Sequence, residues 1–283
     1  MTRRFHVKSR RVRAFIRNRT AVIGAVVAGL MVLAAVCAPL LAPADPLAQD
    51  VYAKLSPPSD VHPLGADDFG RDVLSRIIYG ARISLTVGIF SVLLGMGAGT
   101  LLGLAAGYFR GWLEMAVMRI ADVLMAFPTL VMGLLVMAIL GTGLGKLIVA
   151  IGVVLAPRFA RLAYGAAVSV RETEFVDAAH AIGESPWRIL LRHILPNVFG
   201  EILVMGTLWT ATAIRIEANL SFIGLGVSPP TPTWGNMIRE GVNWIVVAPW
   251  LPVFPGLAIL ITVLAFNMVG DGLRDAVDPK LQA

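Results

Sequence analysis

Six apolar stretches, each about twenty residues long, leave this chain of 283 residues few ways to fold. They fall at 21–42, 83–107, 115–140, 145–168, 199–222 and 251–270. Wound as an α-helix, a stretch of that length crosses the ~30 Å hydrocarbon layer of a bilayer. No water reaches peptide N–H and C=O groups inside that layer, so the backbone must bond to itself, as a helix does. The expected fold is an all-α polytopic membrane protein with about six transmembrane helices. Composition agrees: 57% of residues are hydrophobic and 15% charged, where soluble domains carry about a quarter charged. Cys37 stands alone, which excludes an internal disulfide framework. The four histidines include no pair at metal-ligand helical spacing.

The formal charge of +6 is concentrated at the start. Residues 1–20 hold Arg3, Arg4, Lys8, Arg10, Arg11, Arg13, Arg17 and Arg19, and no acid. Basic residues before a first span favour the cytoplasmic side. The arm is therefore read as a cytoplasmic, lipid-facing anchor with no nucleic-acid partner. The stretch at 21–42 exceeds the roughly 7–15 residues of a signal-peptide core, so it is read as a retained helix. An even number of spans then places both termini in the cytoplasm. Residues 43–82 become an extracytoplasmic segment, and 83–283 a five-helix core with an outer loop at 223–250.

Particular side chains set further expectations. Gly95, Gly99, Gly103 and Gly107 recur every four residues, with Ser91 one step earlier, so one helix face should pack closely on another helix. Asp67, Asp68 and Asp72 lack the ligand spacing of a calcium loop and read as solvated or helix-capping. Pro128 should kink the third span. Arg119 and Asp122, three apart, can pair on one face. Arg158 and Arg161, towards the inner end of the fourth span, read as snorkelling or as meeting cytoplasmic partners. Gly141 to Lys146 is one residue short of a phosphate loop, and Leu147 stands where a magnesium-binding hydroxyl is needed. Arg215 and Glu217 lie inside the fifth span and are candidates for a transport pathway, with mutual neutralisation as the alternative. In the outer loop, Pro229, Pro230 and Pro232 should keep the chain extended, and Trp234, Trp244 and Trp250 suit an interfacial belt.

The longest polar interruption of the C-terminal half runs over residues 171–197. Glu172 to Ile182 is helix-compatible and Gly183 supplies a left-handed stop. Ser185 stands at an N-cap with Pro186 at the first helical position. A second helix should run from Pro186 to about Leu195, where Pro196 ends it. Its apolar residues Trp187, Leu190, Leu191, Ile194 and Leu195 fall on one face. Such a compact capped pair suits docking.

These residues resemble a known pattern. Asp177-Ala-Ala179, then Gly183, then Leu195-Pro196, resembles the cytoplasmic EAA loop of ABC-importer membrane subunits, with Asp177 where Glu is commonest. His62-Pro-Leu-Gly-Ala-Asp-Asp-Phe-Gly-Arg-Asp72 with Tyr79-Gly-Ala-Arg-Ile-Ser-Leu85 looks like the first periplasmic segment of the dipeptide, oligopeptide and nickel importer permeases. Ala218-Asn-Leu-Ser-Phe-Ile-Gly-Leu-Gly226 and Pro232-Thr-Trp-Gly-Asn236 look like their last outer loop. Phe254-Pro-Gly-Leu257, Gly270-Asp-Gly-Leu-Arg-Asp275 and Asp278-Pro279 look like their C-terminal span and tail.

The resemblance implies the type I ABC importer permease fold and the C-type, second permease of such an importer, in a bacterial inner membrane. It implies a homologous B-type permease, two ATP-binding subunits and an extracytoplasmic substrate-binding protein as partners. ATP and magnesium would sit in the ATPase subunits, so this chain is expected to be no enzyme and to hold no cofactor or metal. Asp177, Ala178, Ala179, Gly183, Leu195 and Pro196 would couple it to the ATPase, and Ala179→Arg is expected to break that contact. Di- and oligopeptides are the implied cargo, with nickel, haem or glutathione-like compounds as alternatives. An ion-driven secondary transporter would want ionisable groups near mid-membrane and repeated halves. An intramembrane protease would want a nucleophile with its base or an HExxH pair. Neither pattern is visible: His180 and His193 are thirteen apart, and Ser221 has no histidine at its depth.

Overall fold

A computed structural model describes residues 15–277, and among them every regular element is helical. Apart from short turns at Ala38–Leu41 and Val51–Ala53, the helices are α1 (Arg19–Val36), α2 (Val73–Phe109), α3 (Gly111–Ala126), α4 (Thr129–Leu140), α5 (Leu144–Arg171), α6 (Glu174–Ala181), α7 (Pro186–Ile223), α8 (Trp234–Val242) and α9 (Trp250–Val277). Five of these, α1, α2, α5, α7 and α9, are long and apolar enough to cross a membrane, and α3 with α4 makes a sixth if the bent pair counts as one span. Most of the basic arm lies outside the described residues, as does Asp278-Pro279.

The first and last helices close the chain on itself. Asn18 caps α1, its Oδ1 accepting from Ala21 N at 3.2 Å, and its Nδ2 donates to Asp275 Oδ2 at 3.0 Å. The start of α1 and the end of α9 therefore share one end of the molecule. The glycine stripe of α2 lies against α5. A Cβ at Gly95 would sit 2.8 Å from Gly152 O, and at Gly107 2.9 Å from Tyr164 O. Gly99 and Gly103 meet the carbonyls of Ala156 and Ala160 still more closely. Four small residues one turn apart thus let two backbones touch, which is how helices associate where lipid removes the hydrophobic drive.

Several boundaries differ from the sequence expectation. Helix α2 begins at Val73, ten residues before the apolar run, because Asp72 caps it: Asp72 Oδ2 accepts from Ser75 N and Ser75 Oγ, both at 2.7 Å. At 37 residues, and ~1.5 Å per residue, it is about 55 Å long and must project beyond the hydrocarbon. Pro128 breaks the third span outright, with α3 and α4 meeting at 101°. The proline forces Phe127 into an extended conformation (φ −81°, ψ 138°), which ends a helix. Asp122 pairs with Arg161 of α5 instead of Arg119. Arg158 turns to Thr129 and Trp209 instead of the interface.

The outer segments fold into one body. Asp67 is 6% exposed and not solvated. Arg71 Nε donates to its Oδ2 at 2.6 Å, Arg76 Nε lies 3.3 Å from the same oxygen, and Arg76 Nη2 reaches Glu240 Oε2 at 3.2 Å. Burial holds the Glu240 carboxyl above the usual carboxylate range, with Arg76 and Arg71 pulling the other way. The loop expected to stay extended contains helix α8, capped by Thr233 Oγ1 accepting from Asn236 N at 3.2 Å. Trp234 belongs to no interfacial belt: it is 1% exposed, and its Nε1 donates to Ile77 O at 3.0 Å. A buried indole takes such a partner because an unmet N–H there is costly.

Candidate functional site

Residues 171–197 form a tip at the end of the bundle where α5 and α7 meet. Helix α6 starts after Thr173 and ends before Gly183, whose φ of +78° is the left-handed stop expected there. Ser185 precedes Pro186 as expected, yet its side chain makes no capping hydrogen bond. Pro196 does not end the second helix. Residues Ile189–Ile194 adopt a π-type turn, in which Leu195 N bonds back five residues to Leu190 O, and the chain runs on to Ile223. The wider turn carries the proline ring past the carbonyl that it would strike in a regular helix.

The burial pattern sorts the tip into two faces. Val176 and Ala179 on α6, with Ile189, Leu190 and Ile194 on α7, are fully buried in the main core. Asp177, Ala178 and Gly183 are exposed, as are Ile182 at 78% and Trp187 at 58%. The single apolar face expected of the second helix is thus divided: Leu190 and Ile194 face inward, and Trp187 and Leu191 outward. Leu195 is partly buried and Pro196 exposed. Trp187, Arg188, Leu191, Arg192, His193 and Pro196 line an open groove of about 820 Å³. Ala179, 4% exposed, supports the tip from within and is unavailable to another chain.

Polar contacts fix this tip to the bundle. Arg110 at the end of α2 reaches Glu172 at 2.9 Å. His193 Nε2 lies 2.8 Å from Glu184 Oε2 across the break. His180 stacks on Tyr108 with ring centres 5.9 Å apart, and Phe109 meets Trp187 edge-on at 5.2 Å. Sequence spacing could not reveal these contacts, since each joins residues from separate helices or across the turn.

The two pathway candidates are not brought together. Glu217 is 0% exposed between α2 and α7, where Ser84 Oγ donates to its Oε2 at 2.9 Å and Ser221 Oγ to its Oε1 at 2.7 Å. Arg215 is exposed and donates to Thr212 Oγ1 at 3.2 Å. They do not neutralise each other. The glycines at 141 and 143, with φ of +80° and +134°, form the turn between α4 and α5. A phosphate loop follows a strand, and this turn follows a helix.

Comparison with known proteins gives consistent results at each level. A family model described as the binding-protein-dependent transport system inner membrane component matches residues 99–283. A second, the N-terminal TM domain of oligopeptide transport permease C, matches residues 9–58. The chain is 45% identical over 272 residues to the glutathione transport system permease protein GsiD of Pectobacterium atrosepticum, covering 96% of this chain and 90% of that protein. It is 44% identical over 267 residues to the dipeptide transport system permease protein DppC of Alkalihalophilus pseudofirmus, covering 94% and 88%. Among solved structures, inward-facing forms of the MetNI methionine ABC transporter contain a chain of the same fold. The TM-scores are 0.59 and 0.60 at 19% identity, covering 72% of this chain and 97% and 98% of that one.

Proposed function

The chain belongs to the binding-protein-dependent transport system inner membrane components, and from that premise we propose that it carries short peptides inward as the C-type permease of a two-permease importer. As a multi-pass permease subunit of an ABC importer, it works with a second permease, ATPase subunits and a substrate-binding protein. The finer assignment is our reading. The partner permease is of the B type, two ATPase subunits sit below, and ATP with magnesium is held in them. Both termini lie in the cytoplasm of a bacterial inner membrane. The shared end of α1 and α9 supports a common side for the two termini, and the basic arm supports the inside.

One observation carries the coupling role: an exposed, apolar-tipped helix pair whose second helix runs on as a membrane-crossing helix. Asp177, Ala178 and Gly183 present its outer surface, with Ile182 and Trp187 as anchors for a cleft in the ATPase. Large apolar side chains at the centre of a contact usually dominate its energy. Closure of the ATPase pair would then push the tip, and α7 would carry that motion across the membrane. Ala179 and Leu195 shape the tip from behind, and Pro196 lines its outer groove.

Cargo is read from the relatives. Both a dipeptide permease and a glutathione permease lie at nearly equal identity. Glutathione is itself a tripeptide, so a short peptide-like solute covers both.

The test is purification from membranes with neighbouring gene products. Ala178→Arg replaces an exposed small residue and leaves the packed interior alone. The native chain should retain an ATPase, and the variant should lose it while keeping the second permease. An ATPase retained equally by both would overturn the coupling role, and uptake driven by an ion gradient without any ATPase would overturn the importer reading.

A further inference from the structure

Helix α5 carries two arginines one turn apart, and the structure treats them differently. Arg161 is paired with Asp122 of α3. Arg158 has no acidic partner among the described residues. Its Nη1 donates to Val154 O at 2.9 Å, its Nη2 to Thr129 Oγ1 at 2.7 Å, and its guanidinium lies 4.9 Å from the ring centre of Trp209. Arg158 stands fourteen residues after Leu144 in a helix of 28 residues, which is about 21 Å from the outer end at ~1.5 Å per residue. It is thus a cation halfway along a span, where an unmatched charge is costly and normally faces a bundle interior or an aqueous path.

Its surroundings suit a transient anion. The side chain is partly exposed and lies about 200° round the helix from Ala156, so it points away from the seam with α2. Thr129 follows the α3–α4 elbow directly, and Phe127 and Pro128 at that elbow are exposed. Thr129, Arg158 and Trp209 therefore bring α4, α5 and α7 together around one polar notch in an apolar surface. Of the five N–H donors that a guanidinium carries, the structure engages one on each terminal nitrogen. The remainder can take a carboxylate, and Trp209 holds the plane in place.

We propose that Arg158, braced by Thr129 and Trp209, is a carboxylate-binding station on the translocation route, receiving the terminal carboxylate of a peptide as it crosses. The inference rests on the peptide-importer reading above. A solute that carries a negative end through an apolar layer needs a counter-charge along its way. That counter-charge must stay unsatisfied by the protein's own acids, which is the difference between Arg158 and Arg161.

The test uses the complete transporter, with both permeases, the ATPases and the binding protein, in proteoliposomes. Trialanine and trialanine amide serve as probes, with and without a negative end. In Arg158→Gln the ratio of trialanine to amide uptake should fall about tenfold against the native ratio, and Arg158→Lys should keep most of it. Subunit recovery and basal ATP hydrolysis should stay as in the native transporter. A ratio unchanged in Arg158→Gln overturns the inference, whether uptake of both probes persists or is lost together. Loss of the second permease from the Gln variant also overturns it, since the carboxylate would then belong to that subunit. If the native transporter takes up neither probe with ATP, the peptide-importer reading itself fails and the inference falls with it.

Discussion

Replacing Gly103 by alanine tests the seam on which the helix bundle depends. A Cβ at Gly103 would lie 2.9 Å from the Cα of Ala160 and closer still to its carbonyl. The carbonyl oxygen lies nearest and must retreat by more than about 1 Å to reach an ordinary C···O separation, so the two backbones must part by roughly that much and forfeit about half of each contact along the seam. Backbone cannot swing aside as a flexible side chain can. Overpacking of this kind typically costs about 1–3 kcal/mol. The same helix supplies a control, because Gly97 is exposed and a Cβ there would meet nothing within 4 Å. Gly97→Ala should be neutral or gain up to ~1 kcal/mol of helix propensity. Helix propensity is common to both substitutions and cancels, so the two alanine variants should differ by about 1–3 kcal/mol, with Gly103→Ala the weaker. Equilibrium unfolding by SDS titration in mixed micelles, on the purified transporter, reads this difference. Equal stabilities would refute the reasoning, because they would mean that α2 and α5 are not in backbone contact at Gly103.

Other perturbations separate the remaining contacts. Arg76→Gln removes a cation from a buried cluster and leaves Asp67 and Glu240 less compensated, at about 3–5 kcal/mol; trypsin should then cut at Lys54 on the outer segment at least tenfold faster, and an unchanged rate would count against a single outer body. Glu217→Leu leaves the hydroxyls of Ser84 and Ser221 without their acceptor and should cost about 1–3 kcal/mol for each. Glu217→Gln, which keeps an acceptor, should stay within about 1 kcal/mol of native in the same SDS titration. Ile182→Ala on the exposed tip should weaken ATPase recovery at least about tenfold without changing bundle stability, measured by quantitative co-purification and the same titration.

The spans were legible because apolar runs of bilayer length have one available solution, and the glycine stripe because its period of four matches a helix face. The tip was legible in outline for a similar local reason: Gly183 and Pro186 are backbone signals that neighbours rarely override. What sequence reasoning missed was set by distant partners. Residues 73–82 read as loop because Arg76 and Arg82 are charged, yet Arg76 is satisfied by Asp67 and Glu240, one from each outer segment. Asp122 was assigned to Arg119 by spacing, while the structure offers it Arg161 from another helix. Pro196 read as a stop because a regular helix was assumed on both sides, and the π-type turn removes that premise. Ala179 looked like a contact surface because it is small, but smallness serves equally for packing inward, and only burial distinguishes the two. The polar notch at Arg158 needed α4, α5 and α7 in place before it could be seen.

The π-type turn at residues 189–194 sets the angular aim of everything before it. A π-turn is a helix holding one residue more than its regular path requires, and one residue corresponds to ~100° of rotation. Removing Leu191 would let the turn relax to a regular helix and keep Trp187 and α6 at nearly the same bearing, whereas winding all six residues as regular helix would swing them about a quarter turn around the axis of α7. Their chemistry would be unchanged and their bearing lost. The tip therefore works like a key whose cut is correct only at one rotation of its shaft, and the wide turn keeps that rotation by absorbing one surplus residue.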